Sequence, residues 1–293
     1  MYTSRMTTGL LLISIAGSAA FGGIRRHDRD DALYLALANE SQFDSTARIQ
    51  INTDSGARTC SGTLINSEWI LTAAHCFDGV DIPNAIASVG GAFGFADQVI
   101  IHPGWTEGGY TQGFDLALIH LSTPITTITP ATIYNGSDEL GLISTGVGYG
   151  RSGTGTTGDI PGTLGTKRAG TNIIDALGSD RGFNESILLT DFDSPIREAD
   201  STYGSTVPTD LEYQVAPGDS GGSLFIEVDG AWQLAGVTSF INATDGFADG
   251  DYGDMSAYTR ISDYNGWINS HIPSPSGALI LASGMVAVSR RRR

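Results

Sequence analysis

Basic residues are scarce in this chain. Its 293 residues contain 16 lysines and arginines against 32 aspartates and glutamates, which gives a formal net charge of −16 at pH 7. Lys167 is the only lysine. A surface that binds nucleic acid needs a basic face to neutralise phosphates, so this balance argues against a nucleic acid as a partner. The acidity itself is explained by solubility.

Cysteine is equally rare, with Cys60 and Cys76 as the only two. No Cys-x-x-Cys pair and no histidine-rich spacing is present, so the sequence predicts no metal site. No glycine-rich run has the spacing that cradles a phosphate before a helix, and we expect no cofactor. The apolar run at residues 278–288 is short for a full membrane span.

The composition is that of a folded β-rich chain. Hydrophobic residues make up 40% of it, and the 39 glycines fit an all-β domain or two lobes. Residues 47–52 alternate around Ile49 and Ile51, a turn follows at residues 53–56, and residues 63–65 resume the pattern. This alternation of apolar and polar residues predicts strands from Thr46 onward.

One stretch suggests chemistry, the run of residues 217–223 in which Ser220 lies among glycines. A serine hydroxyl is a weak nucleophile near neutral pH, so it needs a base for its proton and donors for the oxyanion it creates. Glycines at 218, 221 and 222 let the backbone turn tightly and present its N–H groups. Read alone, the stretch fits a surface turn equally well.

Two further stretches supply the missing groups. His75 directly precedes Cys76 in the run at residues 71–76. Asp115 is embedded in an apolar, strand-like run at residues 113–121, where a buried charge is costly unless it is paired. Each residue alone has a structural explanation, but the order histidine, aspartate, serine favours a catalytic set.

These motifs resemble those of the trypsin-like, chymotrypsin-fold serine proteases. They read Thr72-Ala73-Ala74-His75-Cys76, Asp115-Leu116-Ala117-Leu118 and Gly218-Asp219-Ser220-Gly221-Gly222. The resemblance covers residues 46–272 and implies an all-β fold of two six-stranded antiparallel barrels with a short C-terminal helix. It implies that Ser220 is the nucleophile, His75 the general base and acid, and Asp115 its partner. The N–H groups of Gly218 and Ser220 would form the oxyanion hole.

The resemblance also assigns the remaining histidines and cysteines. Cys60 and Cys76 occupy the positions of the family's disulfide beside the histidine, and pairing is the default for two cysteines in an exported chain. His102 and His120 are interpreted as structural. Residues 261–268 resemble the closing helix, for which Ser262 or Asp263 would be the cap.

By the same resemblance, the residues beside the nucleophile form the substrate pocket. Gln214, six positions before Ser220, would lie at its base, where an acid would select lysine or arginine. Ser239 and Ile241 match one wall and Ser256 the other. Bulk at Ile241 and Ser256 should favour small, uncharged side chains. The alternative for Gln214 is a solvent-facing loop residue.

The N-terminus resembles a secretory signal. Residues 1–20 carry Arg5, an apolar run and then small residues, which predicts a signal peptide cleaved near Ala20. Residues 21–45 are a short propeptide or the start of the mature protein. Many family members pair a new Ile-Val-Gly-Gly terminus with the aspartate before the nucleophile, here Asp219. No such sequence lies between residues 20 and 60, which leaves the activation route open.

The C-terminus, residues 273–293, combines a proline-containing linker, a short apolar run and four arginines. This order resembles the PEP-CTERM sorting signal of bacteria, although the glutamate of Pro-Glu-Pro is missing. It implies that sorting machinery at the membrane processes the tail. An ordinary C-terminal anchor explains the same residues, and both interpretations place residues 46–272 outside the cytoplasm, secreted or at the cell surface.

The sequence therefore predicts an exported serine endopeptidase that acts as a monomer on proteins or peptides, without specificity for lysine or arginine. A catalytically silent surface-binding protein on the same fold is the alternative. That alternative gives no physical reason for all three of His75, Asp115 and Ser220. An esterase with the same triad is a third possibility, but the α/β-hydrolase motif places serine before histidine.

Overall fold

The computed structural model describes residues 23–54, 56–80 and 84–272. The predicted signal peptide and the C-terminal tail lie outside these residues. The described chain begins with a short strand, β1 (Gly23–Arg25), and a helix, α1 (Asp31–Ala38). Asp30 caps this helix, because its side chain accepts a hydrogen bond from the N–H of Ala32 at 2.9 Å. Residues 23–38 are thus ordered parts of the fold.

Six strands form a closed barrel, with the order β2-β3-β4-β7-β6-β5. Their bounds are β2 (Thr46–Thr53), β3 (Gly56–Asn66), β4 (Trp69–Thr72), β5 (Ala85–Val89), β6 (Ala92–Ile101) and β7 (Ala117–Leu121). The predicted alternation is present, since Ile49 and Ile51 point into the core and are fully buried. Gly62 lies between them and β4, where a Cβ would lie 2.7 Å from Ile49 and Ile70 side-chain atoms.

The second half of the chain forms a larger antiparallel sheet. Its strands are β8 (Thr132–Ile133), β9 (Ile143–Gly148), β12 (Arg168–Ile173), β13 (Ala176–Leu177), β14 (Ile187–Asp191), β16 (Ser223–Val228), β17 (Ala231–Asn242) and β18 (Met255–Arg260). They are ordered β12-β9-β16-β17-β18-β14-β13, and β8 pairs in parallel with β17. Its antiparallel pairs bury a second core around Tyr34, Tyr213 and Tyr258.

A small third sheet joins the N-terminus to the second half. It adds β10 (Ser152–Thr154), β11 (Gly158–Ile160) and β15 (Tyr213–Gln214) in the order β11-β10-β1-β15. Strand β1 runs parallel to β10 and antiparallel to β15, with Ile24 opposite Gln214. No sequence motif predicts this pairing, because residues 22–24 lack the Ile-Val-Gly-Gly pattern.

The chain closes in a 3₁₀ turn (Ile261–Tyr264) and a short helix, α2 (Asn265–His271). The predicted cap at Ser262 or Asp263 is wrong, because α2 begins at Asn265 and the Ser262 hydroxyl donates to Glu139 Oε1 instead. The all-β chymotrypsin-type fold with its closed barrel, second sheet and short C-terminal helix is confirmed. None of the helices in the described ranges has the length and apolarity to cross a bilayer.

Candidate active site

His75 and Asp115 form a close pair at one end of the barrel. His75 follows β4 in a 3₁₀ turn, and Asp115 precedes β7, which is hydrogen-bonded to β4. His75 Nδ1 lies 2.7 Å from Asp115 Oδ2, and the His75 backbone N–H donates to Oδ1 at 2.9 Å. Asp115 is fully buried, and the His75 side chain is 14% exposed. This contact orients the ring and leaves Nε2 for another partner.

The second sheet completes the surroundings of Asp115. The hydroxyl of Ser239 on β17 donates to Asp115 Oδ2, and Thr259 on β18 donates to the Asp115 carbonyl oxygen at 3.2 Å. The Ser239 bond and the two bonds from His75 compensate a carboxylate that has lost its hydration, while the Thr259 bond fixes the backbone of Asp115. The site therefore depends on both halves of the chain.

Ser220 lies opposite this pair, in the loop between β15 and β16. It lines the same cavity of about 270 Å³ as His75. Its carbonyl oxygen accepts the N–H of Ser61 on β3 at 2.8 Å, which fixes the loop against the barrel. Between the described side chains of Ser220 and His75 there is no hydrogen bond, and such bonds often tighten only when substrate is present.

The loop presents two backbone N–H groups that donate to no other described residue, those of Gly218 and Ser220. The three other N–H groups of residues 218–222 all donate within the protein: Asp219 to Ala216, Gly221 to Thr238, and Gly222 to Asp219. Gly218 has a φ of +100°, and a Cβ there would lie 2.4 Å from a Leu164 side-chain carbon. Glycine is therefore required at this turn.

The carboxylate of Asp219 points away from the cavity. Its oxygens accept the N–H of Gly150 at 2.6 Å and that of Ala216 at 2.9 Å. Burial raises the pKa of Asp219 to about 7. The backbone bonds on both oxygens hold the start of the nucleophile loop in place.

The cavity beside Ser220 has mostly apolar walls. Its lining residues are His75, Tyr110, Val215, Ala216, Pro217, Ser220, Thr238, Ser239, Phe240, Ile241 and Ala248. Ser239 and Ile241 thus lie where the resemblance predicted. Gln214 and Ser256 lie in the layer behind, both fully buried, and the Ser256 hydroxyl donates to the Gln214 side-chain oxygen. The alternative of a solvent-facing Gln214 is wrong.

Sequence reasoning did not single out Tyr110, Phe240 or Ala248 among the residues of this cavity. The ring of Tyr110 meets that of His75 edge-on, with 5.3 Å between centroids, and Phe240 lies 6.1 Å from Tyr110. Ala248 comes from the loop between β17 and β18. Tyr110 begins a single 3₁₀ turn between β6 and β7, and Ala248 lies in an irregular loop, so no spacing rule could have identified either residue. Phe240 lies between Ser239 and Ile241, so the strand match contained its signal.

The other predicted features lie outside the cavity. Cys60 and Cys76 form the expected disulfide, so that prediction is confirmed. His102 stacks on Phe114. His120 Nδ1 lies 2.6 Å from Asp97 Oδ1.

One group of three carboxylates among the described residues is arranged closely enough to hold a metal ion, with oxygens within 4.8 Å of one another. It consists of Asp249, Asp251 and Asp254, in the loop that follows β17. Burial raises the pKa of Asp254 to about 6. The three carboxylates add no group to the cavity.

Comparisons with known proteins indicate the family and the fold. The family model described as Trypsin matches residues 36–268. Chymotrypsin-like elastase family member 1 of Macaca fascicularis is 28% identical over 74% of this chain and 79% of its own length. The rat protein of the same name is 26% identical over 81% of this chain and 88% of its own. The solved structure of HL collagenase, 23% identical, matches 80% of this chain and 96% of its own with a TM-score of 0.58.

Proposed function

The chain belongs to the trypsin family, and on this premise we propose that it is a serine endopeptidase with His75, Asp115 and Ser220 as its catalytic triad. The observation that supports these roles most strongly is the cavity that Ser220 and His75 share, beside two N–H groups that donate to no other described residue. A turn with a purely structural role would have no need for unpaired N–H donors next to a serine. A silent binding protein, likewise, would not need an oriented histidine and a buried carboxylate.

The proposed reaction proceeds through an acyl-enzyme. His75 Nε2 takes the proton of the Ser220 hydroxyl as Oγ attacks the substrate carbonyl carbon, and Asp115 stabilises the imidazolium. The N–H groups of Gly218 and Ser220 bind the oxyanion. His75 then returns the proton to the leaving amine. Water, activated by His75, hydrolyses the ester and regenerates Ser220.

The walls of the cavity support a preference for small, uncharged side chains before the cut. Val215, Ile241 and Ala248 narrow it, and none of the described lining residues is a carboxylate that could pair with lysine or arginine. Gln214 carries no charge, and its side-chain oxygen accepts the Ser256 hydroxyl.

We further propose that the protein acts outside the cytoplasm. The Cys60–Cys76 disulfide supports an oxidising compartment. Export would use residues 1–20 as a signal peptide, and sorting machinery of the PEP-CTERM type would process residues 273–293. Mass spectrometry of both ends of protein isolated from cells tests this. A mature chain that retains the four C-terminal arginines would refute the processing of the tail.

Covalent labelling tests the catalytic proposal directly. A fluorophosphonate probe should modify Ser220 of the mature protein, and mass mapping should locate the adduct there. His75→Ala should abolish the label in a protein that still folds, whereas His120→Ala, at a histidine outside the cavity, should leave the label intact. An unlabelled but folded wild-type protein would contradict the proposed function.

A further inference from the structure

The N-terminal segment, residues 23–38, lies directly behind the substrate cavity. Ile24 of β1 is fully buried and pairs with Gln214, next to the cavity residues Val215 and Ala216. Ile24 also packs with Ala216 in one small core cluster. The position of the cavity floor therefore depends on a segment that is remote from it in sequence.

Tyr34 on α1 links this segment to the floor of the cavity. The side chain is fully buried, and its hydroxyl donates to the carbonyl oxygen of Glu212 at 3.1 Å. The same hydroxyl accepts the N–H of Arg26 at 3.2 Å. One oxygen thus joins the N-terminal backbone to the residue two before Gln214. The Arg26 guanidinium adds a bond to the Thr209 carbonyl oxygen at 2.8 Å.

Tyr252 makes the corresponding link on the other side of the cavity. It lies in the loop that carries the lining residue Ala248, and its hydroxyl accepts the N–H of His27 at 3.1 Å. The ring of Tyr252 packs against Phe192, with 4.7 Å between centroids. Because Arg26 and His27 are consecutive, two adjacent peptide units of the N-terminal segment are tied to the two walls.

We propose that Tyr34 and Tyr252 are positioning residues, which hold the two walls of the substrate cavity through the backbone N–H groups of Arg26 and His27. They touch neither Ser220 nor His75. Their role is to keep the cavity narrow and pre-formed, so that binding of substrate does not have to order its walls. The expected effect on substrate binding deepens the proposed peptidase function and rests on it. The expected effect on the mobility of the cavity walls does not depend on that function.

Tyr34→Phe and Tyr252→Phe test this, since each removes one hydroxyl and keeps the ring. Hydrogen exchange should become faster at residues 209–216 in the first variant and at residues 248–256 in the second, and stay unchanged in β2–β7. For a peptide with alanine before the cut, KM should rise roughly 10-fold or more in each variant. The kcat and the fraction of Ser220 labelled should stay near the wild-type values.

Tyr203→Phe is the matched control, because the hydroxyl of this partly exposed tyrosine donates to the Asp180 carbonyl oxygen at 2.8 Å, away from the cavity. The proposal is overturned if hydrogen exchange at residues 209–216 in Tyr34→Phe and at residues 248–256 in Tyr252→Phe is no faster than in this control. This holds whatever the activity of the variants. A rise in exchange throughout the fold would overturn it too, because the residues would then be merely stabilising. Wild-type protein that takes no label would refute the peptidase function, while the exchange data would still decide the positioning role.

Discussion

Ser239 and His75 share one oxygen atom of Asp115. The Ser239 hydroxyl lies 2.5 Å from Asp115 Oδ2, and His75 Nδ1 lies 2.7 Å from the same oxygen. Ser239 belongs to β17 and His75 to the turn after β4, so the two halves of the chain meet at this atom. A hydrogen bond to a buried carboxylate stabilises its charged form.

Ser239→Ala should therefore lower kcat without unfolding the protein. Loss of one bond to a buried charge costs about 1.5–3 kcal/mol, so we expect a decrease of roughly 10- to 100-fold. Asp115→Asn should lower kcat further, on the order of 10⁴-fold, because the amide also favours the His75 tautomer that carries its proton on Nε2 instead of Nδ1. Steady-state kinetics with active-site titration measure both. Ser270→Ala, at an exposed helix position, is the control, and an unchanged kcat in Ser239→Ala would contradict the prediction.

Ile241→Gly should widen the substrate cavity. The isoleucine side chain lines it, so its removal makes room for larger side chains before the cut. The ratio of kcat/KM for phenylalanine over alanine substrates should rise about 10-fold or more. Peptides that differ only at this position provide the measurement. Ile196→Gly, at an isoleucine that is 70% exposed, should leave the ratio unchanged; a similar rise there would contradict the assignment of the cavity.

A second group of aspartates, at and beside β14, predicts an unusual dependence of stability on pH. It consists of Asp175, Asp191 and Asp193. Burial raises the pKa of Asp193 to about 7 and that of Asp175 to about 8, and the charge of Asp191 adds to both shifts. In the unfolded chain an aspartate loses its proton near pH 4. Between about pH 4 and pH 8 the folded chain thus holds more protons, so the contribution of these groups to stability falls as the pH rises.

Asp193→Asn should accordingly raise the melting temperature at pH 8 more than at pH 5. One oxygen of Asp193 is buried with no hydrogen-bond partner among the described residues, so an amide removes an uncompensated charge. We expect an increase of roughly 2–4 °C, which corresponds to about 1 kcal/mol in a domain of this size. Asp229→Asn, at an exposed turn, is the control for thermal melts at both pH values. A lower melting temperature at pH 8 in Asp193→Asn would refute the explanation.

Asp31→Asn should weaken the attachment of α1 to the second sheet. Asp31 accepts two bonds from Arg168, at 2.7 and 2.6 Å, and Arg168 is fully buried. Removing one partner of a buried pair leaves an uncompensated charge, and we expect a loss of about 3 kcal/mol. Asp210→Asn breaks an exposed pair with Arg29 instead, and its effect should stay below about 1 kcal/mol. Urea unfolding compares the two variants, and equal effects would contradict the prediction.

Local motifs carried most of what could be predicted about the site. His75, Asp115 and Ser220 each lie in a short run that resembles the family, and the fold brings those runs together. The disulfide followed from two cysteines and their positions. Glycine 218 was identified from the turn alone, and its positive φ explains why.

The parts that could not be predicted depend on contacts between distant segments. Residues 22–24 match no motif, yet Ile24 is fully buried because β10 and β15 leave room for a strand between them. Ser262 has good capping chemistry, but Glu139 competes for its hydroxyl. Tyr110 contacts the His75 ring from the loop between β6 and β7, 35 positions later in the chain. Neither periodicity nor propensity contains such information.

The pairing of β1 with β15 also limits when the enzyme can become active. Ile24 lies opposite Gln214, 190 positions later in the chain, so its strand cannot form until nearly the whole domain has been synthesised. Contacts this distant in sequence make folding slow. If the chain crosses a membrane N-terminus first, β1 therefore reaches the far side before β15, and the substrate cavity is not yet assembled there. In the proposed peptidase, the wall of the substrate cavity at residues 214–216 can gain its neighbouring strand only after β15 has been synthesised.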